Sequence, residues 1–70
     1  MEIIEKNPIE RIQVELKEYR KKQYLDIRTY YRSDDGDWKP TKKGVTIPPD
    51  CMEDLLQAVN KINEEYINSN

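Results

Sequence analysis

The chain has 70 residues, 36% of them hydrophobic and 37% charged, with a formal net charge of −2. That is enough for one domain and too little for two, and its small apolar share makes self-association a natural expectation. No segment approaches the ~20 apolar residues of a membrane helix; the lone Cys51 cannot form an internal disulfide or make a zinc site alone, and the absence of histidine removes the commonest metal ligand and general base.

Residues 1–8 are polar and close on Asn7-Pro8, so a flexible lead-in is expected there, and its acidic start (Met1, Glu2, Glu5) does not read as a signal peptide. From Ile9 the chain alternates. Ile12, Val14 and Leu16 fall on one side, and Arg11, Gln13, Glu15, Lys17 and Tyr19 on the other, the period of a half-buried strand. Arg20-Lys21-Lys22 makes a charged turn. A second strand follows from about Gln23 to Arg32, with Leu25 and Ile27 inward and Tyr24, Asp26, Arg28 and Tyr30 outward. Ser33-Asp34-Asp35-Gly36-Asp37 is a turn, because glycine and aspartate accept the backbone conformations that turns require. The third extended segment, Trp38 to Ile47, contains Pro40 and Gly44, which mark an edge or bulged strand.

Pro48-Pro49-Asp50 opens a helix, with proline suited to its first position and Asp50, Glu53 and Asp54 at the positive end of its dipole. Met52, Leu55, Leu56, Val59, Ile62 and Tyr66 then recur at three- and four-residue steps as one apolar stripe. Cys51 has no base nearby in sequence and is expected to be a small buried side chain. Residues 68–70 are expected to fray, which leaves 9–67 as the domain. The fold class is therefore α+β: a curved antiparallel sheet of three to four strands and one C-terminal amphipathic helix, which would cover one face of the sheet.

Charge is uneven along this plan. Residues 1–18 net −2 and residues 45–70 net −4, whereas residues 19–44 carry eight cations against four anions, a net of +4. Most of the aromatic side chains lie in or beside that basic segment. Cations neutralise phosphates and flat rings stack on unpaired bases, so the pairing points to single-stranded nucleic acid. Tyr19, Arg28, Trp38, Lys39, Lys42 and Lys43 are the candidates on this ground. Tyr31 joins them only if the strand twists or bulges, since strict alternation puts Tyr30 outward and Tyr31 inward.

Tyr24-Leu25-Asp26-Ile27-Arg28-Thr29-Tyr30-Tyr31, followed by Asp35-Gly36-Asp37-Trp38-Lys39-Pro40-Thr41-Lys42-Lys43-Gly44-Val45-Thr46-Ile47, resembles the core of the positive-cofactor-four family of transcriptional coactivators. The resemblance is to its short bacterial-type members. It implies a homodimer holding single-stranded DNA, with stacking aromatics at Tyr19 and Tyr31 and backbone-contacting cations at Arg28, Lys39, Lys42 and Lys43. Thr41 stands where a glycine is usual, Lys42 where an arginine is usual, and Pro48 replaces an asparagine cap.

The expected function is single-stranded DNA binding with little sequence preference, in transcription regulation, replication or repair. RNA is left open as a partner, and the expected location is the cytoplasm, at the nucleoid. No catalytic residue, metal, cofactor, membrane or small-molecule substrate is expected. The alternative is a module that docks an acidic protein through its basic edge strand.

Overall fold

The computed structural model describes residues 1–69. Four strands, β1 (Glu2–Asn7), β2 (Glu10–Tyr19), β3 (Lys22–Arg32) and β4 (Trp38–Ile47), form one antiparallel sheet in chain order. A short 3-10 turn at Pro49–Cys51 leads into helix α1 (Met52–Asn68). The fold class read from the sequence is the one observed, with four strands rather than three.

Residues Glu2–Asn7 are a strand, not a loose lead-in. Their partner, β2, is already specified by its own alternation, and pairing with it satisfies backbone groups that the local sequence gives no sign of using. The β2–β3 hairpin closes on Arg20 and Lys21 at φ 51° and 65°, the two positive values of the tight turn that matches strand twist. Asparagine and glycine usually supply those values; here two long cations do. In the β3–β4 turn, Gly36 adopts φ 89°, and Ser33 accepts its N–H while donating its hydroxyl to Asp35 and to the Asp37 carbonyl. The Ser33 hydroxyl, and after it the Asp37 N–H at 3.1 Å, hold the Asp35 carboxyl below its ordinary range.

At the other end of β4, Pro48 is extended (ψ 148°) and Pro49 starts the 3-10 turn, so no side chain caps it. Asn68 is still helical, and the Ser69 N–H reaches the Glu65 carbonyl at 3.0 Å, so the expected fraying does not begin at 68; Asn70 lies outside the described residues. Cys51 is exposed rather than buried.

The helix does not lie over the sheet. It leaves through the 3-10 turn, against which it packs, and residues 56–69 are exposed on every side. Among the described residues no hydrophobic side chain is buried; the two buried ones are Gln13 and Asp26, both on the polar side of the sheet. Leu16, Val45 and the helix residues Leu56, Val59 and Ile62 are each at least half exposed. The apolar stripes predicted from periodicity are both present, but within one chain they do not meet.

Candidate nucleic-acid interface

Directly opposed residues of an antiparallel pair share a face, so the register sorts the sheet. Gln13 faces Arg28, Glu15 faces Asp26 and Lys17 faces Tyr24 across β2–β3, while Arg11 faces Tyr30. Across β3–β4, Asp26 faces Thr46, Arg28 faces Gly44 and Arg32 faces Trp38. All of these belong to one polar face. Ile12, Val14, Leu16, Leu25, Ile27, Val45 and Ile47 belong to the other, along with the Tyr31–Lys39 pair.

The centre of the polar face is an ion cluster. Asp26 is almost fully buried. Its carboxylate accepts from Arg28 Nε and Nη2 at 3.3 and 3.1 Å, and it pairs with Lys17 Nζ at 3.2 Å. Desolvation pushes this carboxyl up, but the hydrogen bonds and charges of Arg28 and Lys17 outweigh it, and the group is held below the usual carboxylate range. Lys17 is raised in turn: burial opposes its charge, and Asp26 more than offsets that. Arg28 Nη1 donates to the Thr41 carbonyl at 2.9 Å, and its guanidinium lies over Gly44, where any Cβ would come within 2.7 Å of Arg28 Cζ. Gly44 therefore provides the space that Arg28 occupies. Three of the five guanidinium N–H groups are used in this way, which leaves two for an outside acceptor.

A ring lies toward each end of the face. Tyr19 is 64% exposed, with the Arg20 guanidinium 5.2 Å from its ring centroid, beside a cleft that Lys22, Tyr24 and Thr46 also line. Toward the opposite end the Arg11 guanidinium sits 4.2 Å above the Trp38 ring. With the buried Gln13 amide turned so that its oxygen faces Arg11, it accepts from Arg11 Nε and Nη2 at 3.1 and 3.0 Å.

The predicted residues are thus only partly brought together. Tyr19, Arg28 and Trp38 share the polar face. Tyr31 and Lys39 are opposed to each other on the other side, where Tyr31 is 42% exposed and Lys39 Nζ lies 4.0 Å from Asp35. Lys42 and Lys43 ride a bulge, since three residues of β4 (41–43) stand opposite Thr29 alone. That bulge lies on the outer edge of the sheet. Sequence reasoning missed Arg11 and Lys17. Both share a parity with Tyr19, which was the available signal. That Arg11 meets Trp38 depends on the register of three strands and has no local signature.

Among the described residues, no cluster of three or more His, Cys, Asp or Glu is placed to hold a metal ion, and no helix is long and apolar enough to cross a membrane. The arrangement resembles known structures closely. A PC4 homologue from Burkholderia pseudomallei, solved in two crystal forms, superposes with TM-scores of 0.88 and 0.85 at 28% and 27% identity. The orthorhombic form covers 93% of this chain and 88% of the homologue, and the tetragonal form 90% and 93%. The bacteriophage T5 homologue of the eukaryotic coactivator PC4, implicated in recombination-dependent DNA replication, superposes at 0.77 with 26% identity, covering 91% of this chain and 75% of its own. The family model described as Transcriptional Coactivator p15 (PC4) matches residues 6–58, and the chain, with this sheet, this bulged edge and this C-terminal helix, belongs to that family.

Proposed function

We propose that two copies of this chain bind single-stranded DNA with little sequence preference, in transcription regulation, replication or repair, without catalysing a reaction. The observation that carries the reading is the polar face: Tyr19 and Trp38 lie toward its two ends, Arg28 keeps two free donors between them, and no element among the described residues covers it. Rings supply stacking surfaces that any base accepts, and fixed cations supply the phosphate contacts. A strand that leaves this face over the β4 edge meets Lys42 and Lys43 in the bulge and then the Tyr31–Lys39 pair.

The same geometry supports homodimerisation. One chain leaves both the apolar sheet face and the helix stripe in water, and a domain this small cannot forgo that burial. A second copy offers the complementary pair of surfaces.

The testing experiment is a titration of intrinsic fluorescence with a thymine oligomer, with light scattering for the mass. Saturable binding by a species of two chains supports the reading; a monodisperse single chain, or equal affinity for duplex and single strands, overturns it. Docking of an acidic protein along β4 is the second reading, favoured by three lysines on an edge strand. Pro40 and the bulge interrupt the hydrogen-bonding edge that strand addition uses, which ranks it lower.

A further inference from the structure

We infer that the pocket at the Trp38 end of the polar face receives the terminal phosphate of a nucleic-acid strand, an inference that rests on the single-strand reading above. The cavity is about 480 Å³ and is lined by Lys6, Arg11, Arg32, Trp38, Glu5 and the Asn7-Pro8 turn. Its three cations converge on one cavity, which Lys22, Lys42 and Lys43, also without an ion pair among the described residues, do not. Lys17, Arg28 and Lys39 each face a carboxylate within 4.0 Å, whereas among the described residues Lys6, Arg11 and Arg32 form no ion pair. Three cations against Glu5 leave the pocket a net +2. A terminal phosphomonoester carries about −1.5 to −2 at neutral pH, while an interior phosphodiester carries a single charge.

The site is also built before any ligand arrives. Arg11 lies on the Trp38 ring and is oriented by the buried Gln13, using two of its N–H groups and keeping three. The end wall is tied down as well: Asn7 Nδ2 donates to Glu10 Oε1 at 3.1 Å, Ile9 N–H donates to Asn7 Oδ1 at 3.0 Å, and Arg32 N–H donates to the Ile9 carbonyl at 2.8 Å. A strand laid along the face from the Tyr19 hairpin reaches that pocket, and there a terminal phosphate is set apart from an interior one by its second charge. The indole beside the three cations then has the terminal base within reach.

The test follows the emission of Trp38, the only tryptophan, as the full chain is titrated with thymine oligomers of one length. One carries a 5′-phosphate, one a 3′-phosphate, and one has hydroxyls at both ends. A phosphorylated end should bind about tenfold tighter than the hydroxyl-ended strand, which corresponds to one net charge-assisted hydrogen bond. Which of the two phosphates is preferred assigns the direction of the strand. Arg32→Gln should abolish most of that preference while leaving the hydroxyl-ended affinity within about twofold, and Arg11→Gln, which also takes a cation from the polar face, should abolish it while weakening all three oligomers. Arg32, with its exposed side chain, keeps the test open should Arg11→Gln fail to fold. Tyr19→Ala should weaken all three oligomers alike. Equal affinity for the three in the unmodified chain, or a preference that both variants retain, overturns the phosphate pocket alone. Binding of none overturns the single-strand reading as well.

Discussion

Replacing Asp26 with asparagine keeps the shape of the side chain and deletes the one charge that holds Lys17 and Arg28 together. In the native chain the carboxylate is nearly inaccessible and accepts three contacts, at 3.1, 3.2 and 3.3 Å. A hydrogen bond to a charged group contributes about 1.5–3 kcal/mol net, and unpairing a fully buried ion costs about 3–5 kcal/mol. Lys17 and Arg28 are partly exposed and can turn toward water, so the cost falls below that upper range, at about 2–3 kcal/mol. For a domain of this size that lowers Tm by roughly 10–20 °C. The comparison belongs at fixed protein concentration, because an associating chain melts at a concentration-dependent temperature. The pH dependence gives a second signature. A carboxyl held below its unfolded value contributes stability that is complete above the unfolded pKa, about 3.9, and is lost as pH falls through the folded one. The gap between the native chain and Asp26→Asn should therefore be constant from neutrality to about pH 5 and close in acid. Denaturant melts at several pH values measure it. A loss below about 0.5 kcal/mol, or a gap that persists undiminished in strong acid, would refute the view that this cluster holds the polar face.

Gly44→Ala places a methyl within 2.7 Å of Arg28 Cζ, and because Arg28 is tied at three points it must release Asp26 or Thr41. A destabilisation of about 1–2 kcal/mol is expected, less than additive with Asp26→Asn in a double-mutant cycle. Replacing Arg20-Lys21 by Asn-Gly relieves two strained positive φ values and should stabilise the chain by about 1 kcal/mol in urea unfolding. Tyr19→Ala should leave Tm unchanged, since the ring is mostly in water, and weaken oligonucleotide binding by the 1–3 kcal/mol typical of one stacked base, about 5- to 150-fold, at every salt concentration. Lys43→Ala should instead flatten the slope of log affinity against log salt by about 0.7.

Periodicity made most of this fold legible. The alternation around Val14 and Ile27, the Asp-Gly turn and the three- and four-residue steps of the helix each encode an element locally, and Pro40 with Gly44 marks the bulged edge that is found. β1 was not legible: Ile3 and Ile4 are adjacent, which breaks alternation, and what makes Glu2–Asn7 a strand is the pairing with β2. The position of α1 was not legible either. An apolar stripe states that something must cover it and is silent on whether the cover is this chain's own sheet or another chain. For the candidate site, parity correctly joined Tyr19 to Arg28. It also set Tyr31 apart from Tyr30, and the register keeps it there, opposite Lys39. The three residues opposite Thr29 reset the count along β4. For that reason neither Lys42 nor Lys43 can be assigned a face by counting from Trp38.

That bulge also accounts for Thr41, which stands where the family resemblance would place glycine. A glycine there would add backbone freedom at an edge already broken by Pro40. Threonine does the reverse. Its hydroxyl donates to the Thr29 carbonyl at 2.7 Å and accepts the Lys43 N–H at 3.1 Å, so both ends of the bulge are closed by one side chain. Its own carbonyl accepts from Arg28 Nη1. The buried carboxylate, the arginine and the bulge that presents Lys42 and Lys43 are therefore one connected structure, running from Asp26 through Arg28 and Thr41 to the edge. A face ordered in this way before its ligand arrives loses less conformational entropy on binding. In a chain whose single copy buries no apolar side chain among the described residues, that order comes from charge pairing and hydrogen bonds across the polar side of the sheet. Of these groups it is Arg28 that reaches outward, with the two N–H groups its partners leave unused.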